Sequence, residues 1–283
     1  GTSAAVPHLL SMTATPIPRT LALTLYGDLD LTLLDQMPAG RRPVVTEIVS
    51  PGKRAGTYEK IRGELAAGRQ AYVICPRIDE PDPDKEQSLQ AKSVKTEAAR
   101  LKKDVFPHHR IGIMHSKMKP VEKEKVMRDF SEHRLDILVS TSVVEVGVNV
   151  PNATIIVIEG AERFGLSQLH QLRGRVIRSN HQAYCYVFTE SKSESTVDRL
   201  KALITAKNGF ELSEMDLALR GAGVLYTGKQ WGITDIAMEA LKNIKMVEAA
   251  RTEATRLVEQ DTSLKTYPLL AKALADQDSI HFE

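Results

Sequence analysis

Cysteine is scarce in this sequence, and long apolar segments are absent. Only two of the 283 residues are cysteine. Cys75 and Cys185 lie in short apolar runs without a C-x-x-C partner, which predicts buried thiols in a reducing compartment rather than disulfides or metal ligands. No apolar run approaches the roughly 18 residues of a membrane span, and there is no signal peptide. We therefore expect a cytoplasmic protein that does not enter a membrane.

Net charge is also small. The chain has 38 Lys and Arg against 36 Asp and Glu, a formal charge of +2. Bulk electrostatics therefore does not indicate a nucleic-acid partner, and contact with a polyanion would have to come from local basic patches. Such patches occur at residues 92–103, 117–125 and 173–178, although each also fits an ordinary solvated surface. The eight histidines show no metal-ligand spacing, so we expect no metal site.

The motifs that a self-contained nucleotide hydrolase needs are missing as well. Neither G-K pair is followed by serine or threonine, so no G-x-x-x-x-G-K-[ST] phosphate loop is present. The D-E pair at residues 79–80 runs into proline and does not form an acidic D-E-x-[DH] element. Because phosphoryl transfer needs both a phosphate cradle and a carboxylate for Mg²⁺, we expect this chain to be inactive by itself.

The middle of the chain alternates short β-branched runs with helical patterns, which predicts an α/β fold with a parallel sheet covered by helices on both faces. The predicted strands are Thr46–Ser50, Ala71–Pro76, Arg110–His115, Ile137–Ser142, Thr154–Glu159 and Tyr184–Thr189. The predicted helices are Arg54–Ala67, Ser93–Asp104, Pro120–Glu132 and Leu166–Arg178, with an acidic surface loop at Asp79–Gln87.

The two ends of the chain differ from this middle. Residues 1–42 contain one strand-like run and are too few to bury a core of their own. Residues 43–191 hold the strand–helix alternation. Beyond them, residues 192–283 show only helical stretches and a glycine-rich segment, with Gly209 predicted to end one helix and Ser213 to begin the next. We predict domain boundaries near residues 43 and 191.

The stretch Q-L-H-Q-L-R-G-R-V-I-R at residues 168–178 has two helical faces. Leu169, Leu172 and Val176 form an apolar stripe, whereas Gln171, Arg175 and Arg178 fall on nearly the opposite side; Arg173 fits neither set. Arginines fixed on one helical face can stabilise charge on a transferring phosphoryl group. A basic face without the rest of a nucleotide site indicates half of a composite site.

Three segments resemble known motifs in order and spacing. Residues 171–178 match Q-x-x-G-R-x-x-R, the sixth motif of superfamily 2 helicases, while residues 140–151 resemble their fifth motif and T-A-T-P at residues 13–16 their third. Y-G-D-L-D at residues 26–30 and I-E-G-A-E-R-F-G-L-S-Q-L-H at residues 158–170 are similar to the RecG-type DNA translocases. The transcription-repair coupling factor shares several of these features and is an alternative, which Y-G-D-L-D disfavours.

The resemblance implies a C-terminal fragment whose second lobe is a RecA-like α/β domain followed by a helical translocation region. It implies ATP and Mg²⁺ as cofactors, held mainly by a preceding lobe, and branched double-stranded DNA as the partner. The full-length enzyme would be an ATP-dependent helicase that remodels stalled forks and Holliday junctions. A bacterial, nucleoid-associated monomer is expected, with a single-strand-binding protein as a possible partner.

The resemblance also assigns residues to roles. Arg175 and Arg178 would be arginine fingers beside Gln171, and Glu145, Gly147 and Asn149 would bind the nucleotide. The residues implied to contact DNA or to couple to it are Thr13, Thr15, Arg19, His115, Thr141, Arg220 and Gln230. Asn149 replaces the usual aspartate and can hydrogen-bond but cannot pair by charge. A non-catalytic binding module that retains the fold is the alternative function.

Overall fold

The computed structural model describes residues 42–76, 83–141, 150–176, 181–206, 208–220 and 244–278, together with four isolated positions before residue 35. The chain divides into two compact units. The first contains the sheet and extends to Leu219, and the second contains the C-terminal helices.

The first unit is built on six strands. They are β1 (Val45–Val49), β2 (Gln70–Cys75), β3 (Ile111–Met114), β4 (Ile137–Thr141), β5 (Ala153–Ile158) and β6 (Tyr184–Phe188). All pairings are parallel, in the order β1-β6-β5-β2-β4-β3. Each strand lies within one residue of its predicted bounds, so the α/β prediction is confirmed.

The helices follow the predicted order, with two in the second unit. They are α1 (Arg54–Ala66), α2 (Pro83–Arg100), α3 (Pro120–Ser131), α4 (Leu166–Arg173), α5 (Glu194–Thr205), α6 (Gly209–Arg220), α7 (Ile244–Gln260) and α8 (Pro268–Asp278). None of the described helices has both the length and the apolar character that a membrane span requires.

Two apolar cores lie on opposite faces of the sheet, because successive residues of a strand point to opposite sides. Tyr72 and Ile74 of β2 pack with α3, α4 and α5, and this core includes Phe130 and Leu169. The alternate residues of β2, including Val73, pack with α1 and α2. Covering both faces explains why the strands are apolar throughout.

The predicted acidic loop at Asp79–Gln87 is partly wrong, because α2 already begins at Pro83. Proline is well accommodated in the first turn of a helix, because its missing N–H has no partner there in any case. The helix runs to Arg100 and continues as a π-helical turn over Leu101–Val105.

The predicted helix Leu166–Arg178 also differs from the structure. α4 ends at Arg173 and tightens into a 3-10 turn over Gly174–Val176, where glycine has a low helix propensity. Ile177 and Arg178 lie outside the described residues.

The helix start predicted at Ser213 is wrong. α6 begins at Gly209, because the Asn208 side chain accepts a hydrogen bond from the Glu211 backbone N–H at 2.9 Å and caps the helix. Leu200 and Leu203 of the preceding α5 are fully buried in the sheet's core. The packed unit therefore continues past residue 191, where the strand–helix alternation ends.

Candidate functional site

Polar side chains collect where the strands end, which is the edge at which parallel sheets bind ligands. Met114 of β3 is in register with Ser140 of β4, so the next residues, His115 and Thr141, lie side by side. Both are buried, Thr141 to 1% exposure. The Thr141 hydroxyl and His115 Nδ1 have no hydrogen-bond partner in the part of the chain that the structure describes. Two polar groups therefore remain unsatisfied at this edge.

Positive charge surrounds the same edge. Burial lowers the pKa of His115, and the charges of Lys95, Lys123 and Lys117 lower it further, whereas Glu122 opposes them. His115 is therefore neutral at physiological pH, and the local positive charge comes from lysines on α2, on α3 and just before α3. We call Lys95, Lys117 and Lys123 the basic edge. This arrangement suits an anion, because a neutral imidazole can still hydrogen-bond while ammonium groups supply the field.

The helix α4 presents the two faces that its sequence indicated. Leu166, Leu169 and Leu172 are buried in the core. Gln171 is exposed and Arg175 is half-buried. Among the described residues, no carboxylate forms an ion pair with Arg175, although several other arginines of the chain have one. Its guanidinium group is therefore available to an anion from outside this unit.

The structure explains Arg173, which belongs to neither face. Its Nη1 donates to the Leu203 carbonyl at 2.5 Å, and its Nη2 lies 3.0 Å from His170 Nδ1. Burial is the main reason that the pKa of Arg173 is lowered, and the pKa of His170 falls to about 4 for the same reason. A neutral His170 can accept from the guanidinium group, so Arg173 joins α4 to the last turn of α5.

Most of the other predicted site residues cannot be placed. Outside the described residues lie Thr13, Thr15, Arg19, Glu145, Gly147, Asn149, Arg178 and Gln230. Arg220 is the last residue of α6. The structure therefore brings together His115 and Thr141 at one edge, and it places Gln171 on α4 and Arg175 in the 3-10 turn that directly follows.

An ion cluster that the sequence did not predict lies on the other side of the same edge. Arg54 Nη2 lies 3.3 Å from one oxygen of Glu159 and 3.6 Å from Glu190, while Arg100 Nη2 lies 4.0 Å from the second oxygen of Glu159. Glu159 directly follows β5, and Glu190 lies two residues beyond β6. A charged residue close after an apolar strand was the signal that could have identified them.

Glu159 is unusual among these groups because its side chain is only 13% exposed. Burial raises the pKa of Glu159 to about 7, the charges of Glu97 and Glu190 add to this, and Arg54 and Arg100 oppose it. Its charge therefore changes near neutral pH. Among the described residues, no three His, Cys, Asp or Glu side chains are grouped in a way that could hold a metal ion.

Comparison with known proteins gives consistent matches. Residues 56–180 match the helicase conserved C-terminal domain. The chain is 47% identical over 263 residues to the ATP-dependent DNA helicase RecG of Synechocystis sp., covering 93% of this chain and 31% of that protein. It is 45% identical over 261 residues to RecG of Bacillus subtilis, covering 92% and 37%. A solved structure of RecG bound to a three-way DNA junction matches with a TM-score of 0.63 at 40% identity, covering 83% and 30%. The chain thus spans about a third of the length of these relatives.

Proposed function

Because the chain belongs to the RecG-type branch of the superfamily 2 helicases, and matches their C-terminal part, we propose that it is the second motor lobe of an ATP-dependent DNA translocase. Its sheet unit is a RecA-like helicase lobe. In this proposal a preceding lobe holds ATP and Mg²⁺, and the present lobe supplies charge to the nucleotide and contacts to DNA.

The observation that carries the proposal is the state of Arg175. It is half-buried in the 3-10 turn that follows α4, and no carboxylate among the described residues pairs with it. A half-buried guanidinium group without a described counter-ion can accept an anion, and a phosphate is the anion that its fork of donors fits best. We assign Arg175 the role of an arginine finger, together with Arg178.

The chemistry of this half-site is electrostatic. ATP supplies the γ-phosphoryl group, on whose oxygens negative charge is redistributed during transfer. Arg175 would donate hydrogen bonds to those oxygens, and Gln171 would orient the nucleophilic water or the guanidinium group. The buried leucines of α4 pack in the core, and they anchor the helix that carries Gln171 and leads into Arg175. Glu145, Gly147 and Asn149 remain proposed nucleotide contacts, and the Mg²⁺ ligands are assigned to the preceding lobe.

For DNA, we propose phosphate contacts at His115, Thr141 and the basic edge. The unpaired Thr141 hydroxyl and the neighbouring lysines support this, because backbone contacts need donors and positive charge but no base recognition. The matched RecG structure is bound to a three-way DNA junction, so branched DNA, including stalled forks and Holliday junctions, is the proposed substrate. Thr13, Thr15, Arg19, Arg220 and Gln230 remain proposed contact or coupling positions.

ATP hydrolysis tests the proposal. The 283-residue chain alone should show no turnover with Mg²⁺ and branched DNA, whereas a longer chain that includes a first lobe should turn over. In that longer chain Arg175→Ala and Arg178→Ala should each slow hydrolysis by about 10³-fold, the effect typical of a lost finger. Arg134→Ala is the matched control, because Arg134 pairs with Asp129 on the surface.

Three results would contradict the proposal. Strong ATP hydrolysis by the 283-residue chain would exclude a shared site, and a near-normal rate in both finger variants would remove their assignment. If the reading frame upstream of Gly1 encoded no phosphate loop and no acidic Mg²⁺ motif, the non-catalytic binding module would replace the motor.

We further propose a monomeric bacterial protein at the nucleoid, with a single-strand-binding protein as a partner.

A further inference from the structure

The connection between β5 and α4 is short and begins at a buried carboxylate. Glu159 follows β5, and its backbone N–H still donates to the Ile74 carbonyl of β2 at 2.9 Å. Gly160 then turns the chain with a φ of 58°, and a side chain there would meet the Pro76 ring at 3.2 Å. A 3-10 turn over Ala161–Arg163 leads to the start of α4 at Leu166. Because so few residues separate Glu159 from Leu166, the position of Glu159 constrains where α4 begins.

Two arginines on different helices meet this carboxylate. Arg54, at the start of α1, lies 3.3 Å from Oε2, and Arg100, at the end of α2, lies 4.0 Å from Oε1. Glu159 Oε1 has no hydrogen bond to any part of the chain that the structure describes. The carboxylate thus lies between two positive charges, and it is held by attraction rather than by a hydrogen-bond network.

Both guanidinium groups have further contacts, besides Glu159, that hold them in place. Arg54 lies over the Phe188 ring, 5.0 Å from its centroid. Arg100 donates to both Glu97 oxygens, at 2.9 and 2.6 Å, and to the Tyr58 hydroxyl at 2.8 Å. Preorganised cations define one position for the carboxylate, because they do not move to follow it.

The far end of the connection is held from the other face of the sheet. Arg199 of α5 donates to the Phe164 carbonyl at 2.7 Å and to the Glu162 carbonyl at 2.9 Å. These bonds involve backbone oxygens and a permanently charged donor, so they do not change with pH. Glu159 is consequently the carboxylate of the connection that pairs with arginines of the helices on the opposite face, and its ionisation can respond to pH.

We propose that Glu159 is a positioning residue, which in its ionised form, held by Arg54 and Arg100, sets where α4 begins and hence where Gln171 and Arg175 lie. This inference rests on the proposed function only for the reason why the position of Gln171 and Arg175 matters. The positioning of α4 by Glu159 does not depend on that function. A purely stabilising ion pair is the alternative, but buried pairs often contribute little net stability.

The charged groups around Glu159 define how its ionisation responds to pH. Burial raises its pKa to about 7, Glu97 on α2 and Glu190 after β6 raise it, and Arg54 and Arg100 lower it. Cys75, at the end of β2, is a buried thiol whose pKa is raised by burial, so it stays uncharged. Near neutral pH, loss of the Glu159 charge would therefore release the start of α4.

The experiment follows α4 by NMR in the 283-residue chain, without nucleotide or DNA. Backbone amide shifts of residues 166–176 are recorded from about pH 5.5 to about 8.5, a range that brackets a carboxylate titrating near 7. In the unsubstituted protein these amides should titrate with one midpoint near 7. In E159Q that titration should disappear, although all eight histidines remain. E47Q is the matched control, because Glu47 pairs with exposed Lys60 at 2.9 Å.

A second variant covers the case in which E159Q does not fold. R54Q keeps the carboxylate but removes a charge that lowers its pKa, so the midpoint of the α4 titration should move to higher pH. The proposal would be overturned if the α4 amide shifts did not change with pH. It would also be overturned if they titrated in E159Q or in R54Q as they do in the unsubstituted protein. Such a result would not affect the assignment of Arg175 as an arginine finger. Conversely, normal hydrolysis in the Arg175 and Arg178 variants would remove that assignment but would not change the expected titration of the α4 amides.

Discussion

Arg173 Nη1 and the Leu203 carbonyl, 2.5 Å apart, connect the end of the helix that carries Gln171 to the last turn of α5. The final carbonyls of a helix have no partner within it, and a cation placed there also meets the negative end of the dipole. The arginine that the helical pattern left unexplained is therefore a cap for a different helix.

Replacing this cap should destabilise the fold. Arg173→Ala leaves the Leu203 carbonyl and His170 without their donor in a mostly buried place, and we expect the free energy of unfolding to fall by about 2 kcal/mol. Urea unfolding at neutral pH measures it. Arg175→Ala, two residues along, is the control and should change stability by less than about 0.5 kcal/mol. Equal effects of the two substitutions would show that Arg173 does not act as a cap.

Replacing Gln70 should lower the free energy of unfolding as much as replacing Arg173, although Gln70 carries no charge. It is fully buried on β2, and its amide donates to the Phe130 and Leu135 carbonyls at 2.6 and 2.7 Å. Gln70→Leu keeps the volume but removes both donors, so we expect a loss of about 2 kcal/mol in urea unfolding. Gln182→Leu is the control, because Gln182 also donates to two carbonyls but lies near the surface. An unchanged stability of Gln70→Leu would contradict this account.

Asp136 should make stability depend on acid pH. Burial alone would raise its pKa, but hydrogen bonds from the Arg110 side chain and backbone N–H outweigh it and hold the pKa of Asp136 below the ordinary 3.8. The folded state thus favours the ionised form. The contribution is complete above the ordinary pKa and is lost as pH falls through the lower folded one.

Comparison with Asp136→Asn measures this contribution. At neutral pH the variant should be less stable by about 1 kcal/mol, a value reduced by the exposure of Arg110, and the difference should vanish under strong acid. Asp198→Asn, which disrupts the exposed pair with Lys201, is the control measured over the same pH range. A difference that persisted well below about pH 3 would rule out the ionised carboxylate as its source.

The basic edge should determine how DNA binding responds to salt. Replacing Lys95, Lys117 and Lys123 by glutamine removes up to three cations that could neutralise phosphates. The slope of log K against log salt should then fall by about 3 at most, since each neutralised phosphate contributes about 0.9. Fluorescence anisotropy with a labelled duplex at several salt concentrations provides the measurement. Lys60→Gln on α1 is the control, and an unchanged slope in the triple variant would exclude this edge as the DNA-binding surface.

Local sequence patterns predicted the fold well where burial is repetitive. The strands, such as β2 and β5, are apolar on both faces, and only a sheet covered on both sides buries such residues. The leucine stripe of α4 was predicted for the same reason. The errors arose at helix ends, where Pro83 and Asn208 act through a few backbone bonds that hydrophobic periodicity does not register.

The candidate site was predictable only in part. Arg175 and Gln171 were proposed from their helical spacing, and His115 and Thr141 from motif resemblance. Arg54, Arg100 and Glu159 are far apart in the sequence, so no local pattern pairs them. Their meeting depends on the strand order, which places the end of β5 between helices that follow β1 and β2.

The amino-acid sequence alone determined which segments form strands and helices and which of their faces are buried. Apolar periodicity is a property of residues close together in the chain, and the hydrophobic effect buries the apolar face. Tertiary structure alone decided which charges meet. It placed Glu159 between two arginines, put Arg173 against α5 and left Arg175 without a described carboxylate, because electrostatic partners are chosen by distance in space and by the exclusion of water.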